Sequence, residues 1–420
     1  MADARPRPIL WDIYEEHLNE AGWLWGEWGR AMDSAIYALS DVVVGPEERL
    51  AAHLDGLVLG GRPVAEKLLL PALAGDDTDL CAAAAWALVQ SEDGDYQDAV
   101  VAALAEAEAP ARAAMAGALA RSPRLDISRV ARLWHVGPPV LRPMVLAVFG
   151  RHEPDWVRAQ VEAALRSDDP ALCAQAWRSL RASPDPQLLP YLDQALHAAE
   201  PAVRAEAMMT GVVLDSRAAW DACRRAAQAG GEDSRLPLGL LAVSADAGDR
   251  ALVRARLRDP QARLSALWAL GFAGEQEDGD RLVEAMADPK AAQVAGEAFA
   301  MMTGLAIDGP LRQRGETVGP DAEEVKPDDP PPVVRSEEHL PRPDAPKVAA
   351  WWQRQRGHFR PGVRHLAGQP RAPEGALAAL AAAPTWRRQV LWLELTAQEC
   401  APAELDLRDW ARDQLRALAE

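Results

Sequence analysis

Residues able to exchange protons or hold a metal are few in this chain and poorly spaced for either task. His53 and Asp55 lie two positions apart. On a helix that spacing puts them on different faces, so they make a weak general acid–base pair, and a histidine that caps or packs is the simpler reading. His339, His358 and His365 follow one another at 19 and 7 residues, which matches no common metal-ligand spacing. Cys81, Cys173, Cys223 and Cys400 stand far apart with neither metal nor redox spacing. They read as free thiols acting as small hydrophobes, which suits a reducing cytoplasm. Glu297 is set among Val294, Ala298, Phe299 and Met302. A carboxylate in such a run must face solvent or be paired, because burying it alone is costly. The expected partner is one of the arginines within residues 354–364, making a structural latch.

Phosphate-binding loops, dinucleotide fingerprints, zinc-protease helices, nucleophile elbows and paired CxxC motifs are all missing from the sequence. The expectation is therefore a chain with no catalytic residues, no metal and no cofactor. Two tryptophan clusters remain. Trp351 and Trp352 precede Arg354, Arg356, Arg360 and Arg364. That set could stack on bases and grip phosphates. It is explained more simply by one indole in the core and arginines meeting acids of the same chain. The other cluster is Trp11, Trp23, Trp25 and Trp28, more than one buried stripe needs. Trp23 and Trp25 point about 200° apart on a helix, so one of them is expected on the surface as a docking anchor. The residues singled out for partner binding or latching are Trp23, Trp25, Trp351, Trp352, Arg356, Arg360, Arg364 and Glu297.

The elements that must carry these residues follow a beat of about thirty residues. Pro110, Pro139, Pro170, Pro201, Pro260 and Pro289 recur at spacings of 29, 31, 31, 59 and 29, and the mid-point of the long interval falls at Gly230-Gly231. Each turn opens an alanine- and leucine-rich run with helical spacing. Asp before Pro, as in Asp169-Pro170, is turn chemistry with the proline in the first turn of the next helix. An arginine often follows: Arg112, Arg142, Arg204, Arg263. One helix pair cannot bury its own apolar face, so the pairs must stack.

The 420 residues carry a net charge of −18, unevenly placed. Residues 1–100 hold nineteen acids and six bases, a net of −13, whereas residues 351–393 hold seven arginines against Glu374 alone. An acidic chain is a poor partner for nucleic acid. No apolar run reaches the roughly 18 residues that suggest a membrane span, and the first residues have no signal-peptide apolar stretch. The expectation is a cytoplasmic protein with no membrane partner.

The fold expected is all-α: an α-solenoid of HEAT-like helix pairs with helical caps at both ends. Residues 1–62 form the N-terminal cap, with helices at 9–29, 31–43 and after Pro46. Residues 63–304 form the array of about eight pairs. Residues 305–346, rich in proline and acids, read as a linker or extended loop with a disordered middle. Residues 347–420 form a C-terminal helical segment, its last helix restarting at Pro402.

Asp-Pro-x-x-Arg-x-x-Ala at the helix openings resembles HEAT-type repeats, with a period shorter than the usual 40–47 or so. It is more similar to the short bacterial HEAT-like repeats related to phycobilin lyases. A second resemblance rests on Ala52-His53-Leu54-Asp55-Gly56-Leu57, Gly296-Glu297-Ala298-Phe299 with Thr303-Gly304, Pro343-Asp344 with Trp351-Trp352, and Gly362-Val363-Arg364-His365-Leu366-Ala367-Gly368, in this order. Together they resemble an uncharacterised proteobacterial family of helical-repeat proteins often encoded beside components and effectors of type VI secretion. That resemblance implies a context and no activity. The function expected is a non-enzymatic protein-binding scaffold whose partner is a secretion component or effector. The alternatives are an immunity-type inhibitor of a neighbouring toxin and, behind it, a lyase-like repeat enzyme.

Overall fold

The computed structural model describes residues 9–91, 94–181, 184–231, 234–313, 336–402 and 404–419. Apart from one two-residue antiparallel pair, His365–Leu366 with Gln369–Pro370, and one isolated bridge, their regular structure is helical. The protein is all-α and built from stacked helix pairs. The chain divides into two compact units that cut across the linear segments. The first comprises residues 1–32, 40–183 and 408–416, the second residues 33–39, 184–407 and 417–420.

In the first unit the long helix α1 (Trp11–Ala31) packs beside α2 (Glu48–Leu59) and on α3 (Thr78–Val89). Six more helices follow: α4 (Gly94–Glu106), α5 (Ala109–Ala120), α6 (Ile127–Val136), α7 (Arg142–His152), α8 (Pro154–Leu165) and α9 (Pro170–Leu180). Helices α3, α5, α7 and α9 stack successively into one layer. They are the helices opened by the recurrent turns. The first and last of them start by side-chain capping: Asp77 accepts from the amides of Asp79 and Leu80, and Asp169 from those of Ala171 and Leu172. In contrast, α5 has a proline in its first turn and α7 follows a short turn at Pro139–Leu141, both without a side-chain cap. Two of the four recurrent arginines, Arg112 and Arg204, close the preceding elements, whereas Arg142 lies 5.6 Å from the Trp134 ring centre and Arg263 pairs with Asp288 at 2.6 Å. Arg112 donates to the Ala107 carbonyl at 2.5 Å, just beyond the end of α4, where a cation also meets the negative end of the helix dipole.

The second unit repeats the scheme with α10 (Pro201–Val213), α11 (Arg217–Ala229), α12 (Arg235–Val243), α13 (Ala247–Ala255), α14 (Arg263–Ala273), α15 (Gln276–Ala285) and α16 (Ala292–Thr303). Helices α12, α14 and α16 stack in one layer. Arg204 donates to the carbonyls of Ala198 and Ala199, the same device as Arg112. After the array come α17 (Ala345–Gln355), α18 (Pro373–Ala382) and α19 (Arg388–Ala397). Helix α19 lies on α10 and α12, the His365–Leu366 strand lies on α14 and α16, and α17 packs on α15. One face of the array is thus covered by the chain's own later segment.

Three expectations are corrected. The helix expected over 31–43 is interrupted at 32–38, because the backbone there pairs elsewhere: Thr385 donates to the Tyr37 carbonyl at 2.9 Å and Trp386 to that of Ser34 at 3.1 Å. Pro46 does not open a helix but sits inside a wide turn, residues 43–47, that runs into α2. The last helix, α20 (Ala411–Ala419), starts well after Pro402, where the Glu47 carboxylate receives its first amides. The middle of the expected linker, residues 314–335, lies outside the described residues. Its described ends pair with one another: Gln313 donates to the Arg342 carbonyl at 2.9 Å and Asp344 to that of Leu311 at 2.7 Å. No helix among the described residues is long and apolar enough to cross a membrane.

Candidate functional site

The chemistry-bearing residues fall into a buried latch in the second unit and a partly exposed surface in the first. The latch centres on Glu297, which is 9% exposed on α16. Its Oε1 accepts from Arg387 Nε at 2.8 Å and from Trp386 Nε1 at 3.2 Å, and Oε2 accepts from Arg387 Nη2. Arg387 is fully buried, and its third nitrogen donates to the Trp268 carbonyl at 2.6 Å. The guanidinium lies 4.9 Å from the Trp268 ring and 4.7 Å from that of Phe272, so the charge has both a carboxylate and π faces around it. Glu297 is paired, as the latch expectation requires, but the partner comes from residue 387 and not from residues 354–364.

Those earlier arginines have other duties. Arg356 makes two bonds to Asp280 on α15, at 2.8 and 2.7 Å, and holds that carboxyl below its ordinary range together with Trp352 Nε1, which donates to it at 2.8 Å. Arg364 reaches the carbonyls of Val243 and Phe272 and the Glu394 carboxylate on α19. Burial pushes its guanidinium down to about 10 despite that carboxylate. Arg371 also pairs with Glu394. Arg360 stands exposed, with no ion pair among the described residues. Trp352 is 1% exposed and stacks edge-on to Phe299 at 5.4 Å. A Cβ on Gly279 would sit 2.6 Å from its ring, so a glycine is required beneath it. Trp351 is half-buried, 5.9 Å from Phe299. Trp351, Trp352, Arg356 and Arg364 are thus engaged within their own unit, and Arg360 is the cluster's exposed member.

His365 is 1% exposed, and neither ring nitrogen has a hydrogen-bond partner. Burial pushes its imidazole down; the backbone of Gly274 and Val363 opposes that shift without offering normal hydrogen-bond geometry. Its backbone amide donates to the Gly274 carbonyl at 2.8 Å. Gly274 has φ +65°, and a Cβ there would collide with the His365 carbonyl. Cys223 is buried, and its thiol is pushed up to about 12 by desolvation. Among the described residues no three of His, Cys, Asp and Glu converge as a metal site.

In the first unit α1 sorts its tryptophans by face. Trp25 and Trp28 are buried and meet Trp410 at 5.6 and 5.0 Å. Trp23 is 53% exposed. Glu47, 1% exposed, accepts from Trp28 Nε1 at 2.9 Å and from the Ala411 and Arg412 amides at 2.6 and 3.0 Å. The partner of His53 is His17, with the two Nδ1 atoms 3.0 Å apart, and not Asp55. Gly56 lets this happen: a Cβ there would be 3.1 Å from His17 Nε2. Arg387, Glu394 and Glu47 were not singled out from sequence. The available signal was the one that marked Glu297, a charge inside an apolar run: Glu394 stands between Leu393 and Leu395.

No protein-family model matches the chain, and no curated protein matches it. Among solved structures it is similar to the crystal structure of YibA of Escherichia coli, at 12% identity over 71% of this chain and 97% of that one, with a TM-score of 0.34.

Proposed function

We propose that this chain is a non-enzymatic, cytoplasmic protein-binding scaffold that serves as an accessory, adaptor or chaperone for a type VI secretion component or its effector. The observation that carries the binding role is the exposure of Trp23 at 53% on a helix that buries Trp25 and Trp28 at 7% and 4%. An indole left in water beside two that are buried is a large anchor with no role in the core. In the second unit one face of the array is taken by α19 and the His365 strand, which moves attention to α1. The secretion context rests on the family resemblance of the sequence.

The test is co-expression of the full chain with the tagged products of the genes beside it. A scaffold co-purifies with one of them as a stable complex, and Trp23→Ala releases it without loss of folding. If no such product co-purifies, the proposal fails. A second reading, an immunity-type inhibitor, is favoured by the charge of α1 and α2, which together hold seven carboxylates and two arginines. Such a field speeds capture of a basic toxin. Rescue of cells from a neighbouring toxin would select this reading, and stable co-purification without rescue would select the scaffold.

A further inference from the structure

The exposed face of α1 has a composition that specifies its occupant. At about 100° per residue, Asp12, Glu16 and Trp23 lie within an arc of about 40°, Glu20 and Ile13 flank it on one side and Glu15 on the other. Trp23 is 53% and Ile13 42% exposed, and the carboxylates between them face solvent or its edge. Apolar anchors set in a row of carboxylates make a surface that repels phosphate backbones and anionic lipid alike. A two-fold copy of the same surface would set acid against acid.

We infer that this surface receives a basic amphipathic segment of a partner protein, with its lysines and arginines against the α1 carboxylates and its apolar side chains on Trp23 and Ile13. The inference rests on the proposed protein-binding role. The chain already contains the recognition chemistry in miniature. Arg49 on α2 places its guanidinium 5.7 Å from the centre of the Trp23 ring and 3.9 Å from the Glu20 carboxylate. Its side chain is 57% exposed, so it marks where a partner's guanidinium fits without filling the surface. An amphipathic helix laid along α1 satisfies both requirements at once, its apolar stripe covering the indole and its flanking bases steering the encounter.

The probe is a fluorescently labelled amphipathic helical peptide of lysine, leucine and tryptophan, with a counterpart carrying glutamate for lysine, titrated by anisotropy against the full chain. The lysine peptide is expected to bind and the glutamate peptide not. Binding should weaken at least about tenfold between about 50 and 300 mM salt. It should weaken about as much in Trp23→Ala and in the double variant Glu16→Lys/Glu20→Lys, and it should tighten in Arg49→Ala. The charge-matched control Glu106→Lys/Glu108→Lys, at exposed positions around the α4–α5 turn, should keep wild-type affinity. The inference is overturned if the control loses as much as the α1 variant, if the glutamate peptide binds equally, or if the lysine peptide does not bind. It is also overturned if sedimentation shows that the chain self-associates through Trp23, which would make a second copy the occupant. A co-purifying neighbour that needs Trp23 but ignores charge reversal and salt would leave the scaffold standing and remove the basic partner alone.

Discussion

Glu297 and Arg387, ninety residues apart in sequence, close a two-bonded ion pair inside the second unit. The pair ties the array helix α16 to the residue just before α19, and its guanidinium also holds a carbonyl of α14 through Trp268. Removing one member leaves the other buried and uncompensated. Glu297→Ala should therefore destabilise the protein by about 3–5 kcal/mol, and the double replacement Glu297→Met/Arg387→Met by clearly less, because no charge is then stranded. Urea denaturation of the two variants checks this. Equal losses would mean that the pair is held for packing and not for charge.

The two adjacent tryptophans at 351 and 352 should part company when each is truncated. Trp352→Ala removes a side chain that is 1% exposed, touches Phe299 and Phe359, and anchors Asp280. The expected loss is about 3–5 kcal/mol. Trp351, half-buried with one aromatic neighbour, should cost about 1–2 kcal/mol. Thermal denaturation distinguishes them. A Trp351→Ala loss as large as that of Trp352→Ala would show that the pair acts as one core element.

Glu47 organises the end of the first unit from a single buried carboxylate. In Glu47→Ala the Trp28 indole and the Ala411 and Arg412 amides lose their acceptor. The expected cost is about 2–4 kcal/mol, with faster amide exchange confined first to residues 411–416. Uniform acceleration throughout the unit would argue instead that residues 408–416 are part of its cooperative core.

How far these relationships were legible depends on their range. The thirty-residue beat marked the helices that stack as a layer within each unit, because a turn is local chemistry: a proline in the first turn, as at Pro110, Pro170 and Pro201, or an Asp side chain two or three residues from the amides it caps, as at Asp77 and Asp169. The opposition of Trp23 and Trp25 was likewise a matter of helical angle. Which indole would be covered was not, since Trp410 decides it from the far end of the chain. Glu297 was recognisable as a carboxylate needing a partner, and its partner was misplaced for the same reason. Arg356 and Arg364 were near enough along the chain to be candidates, but Asp280 and Glu394 claim them, and only the path of the segment after α18 brings Arg387 to α16.

Two histidines give the stability of the protein a pH dependence of known sign. Burial lowers the imidazole of His365, and burial followed by the charge of His17 lowers that of His53. The unfolded chain, with histidines near the ordinary value of about 6.5, then binds protons that the folded chain refuses. Stability must fall as pH drops below that value, and level off once the folded histidines are also protonated. For one proton the limiting slope is about 1.4 kcal/mol per pH unit. Urea midpoints measured from pH 7.5 to 5.5 should decline for the wild type, with Asp33, Asp79 and Asp278, whose carboxyls burial raises, opposing the decline towards the acid end. His365→Phe, which keeps a ring beside Phe359 and removes the titration, should flatten the decline by up to one proton's worth. An unchanged slope in that variant would assign the effect to His53 instead.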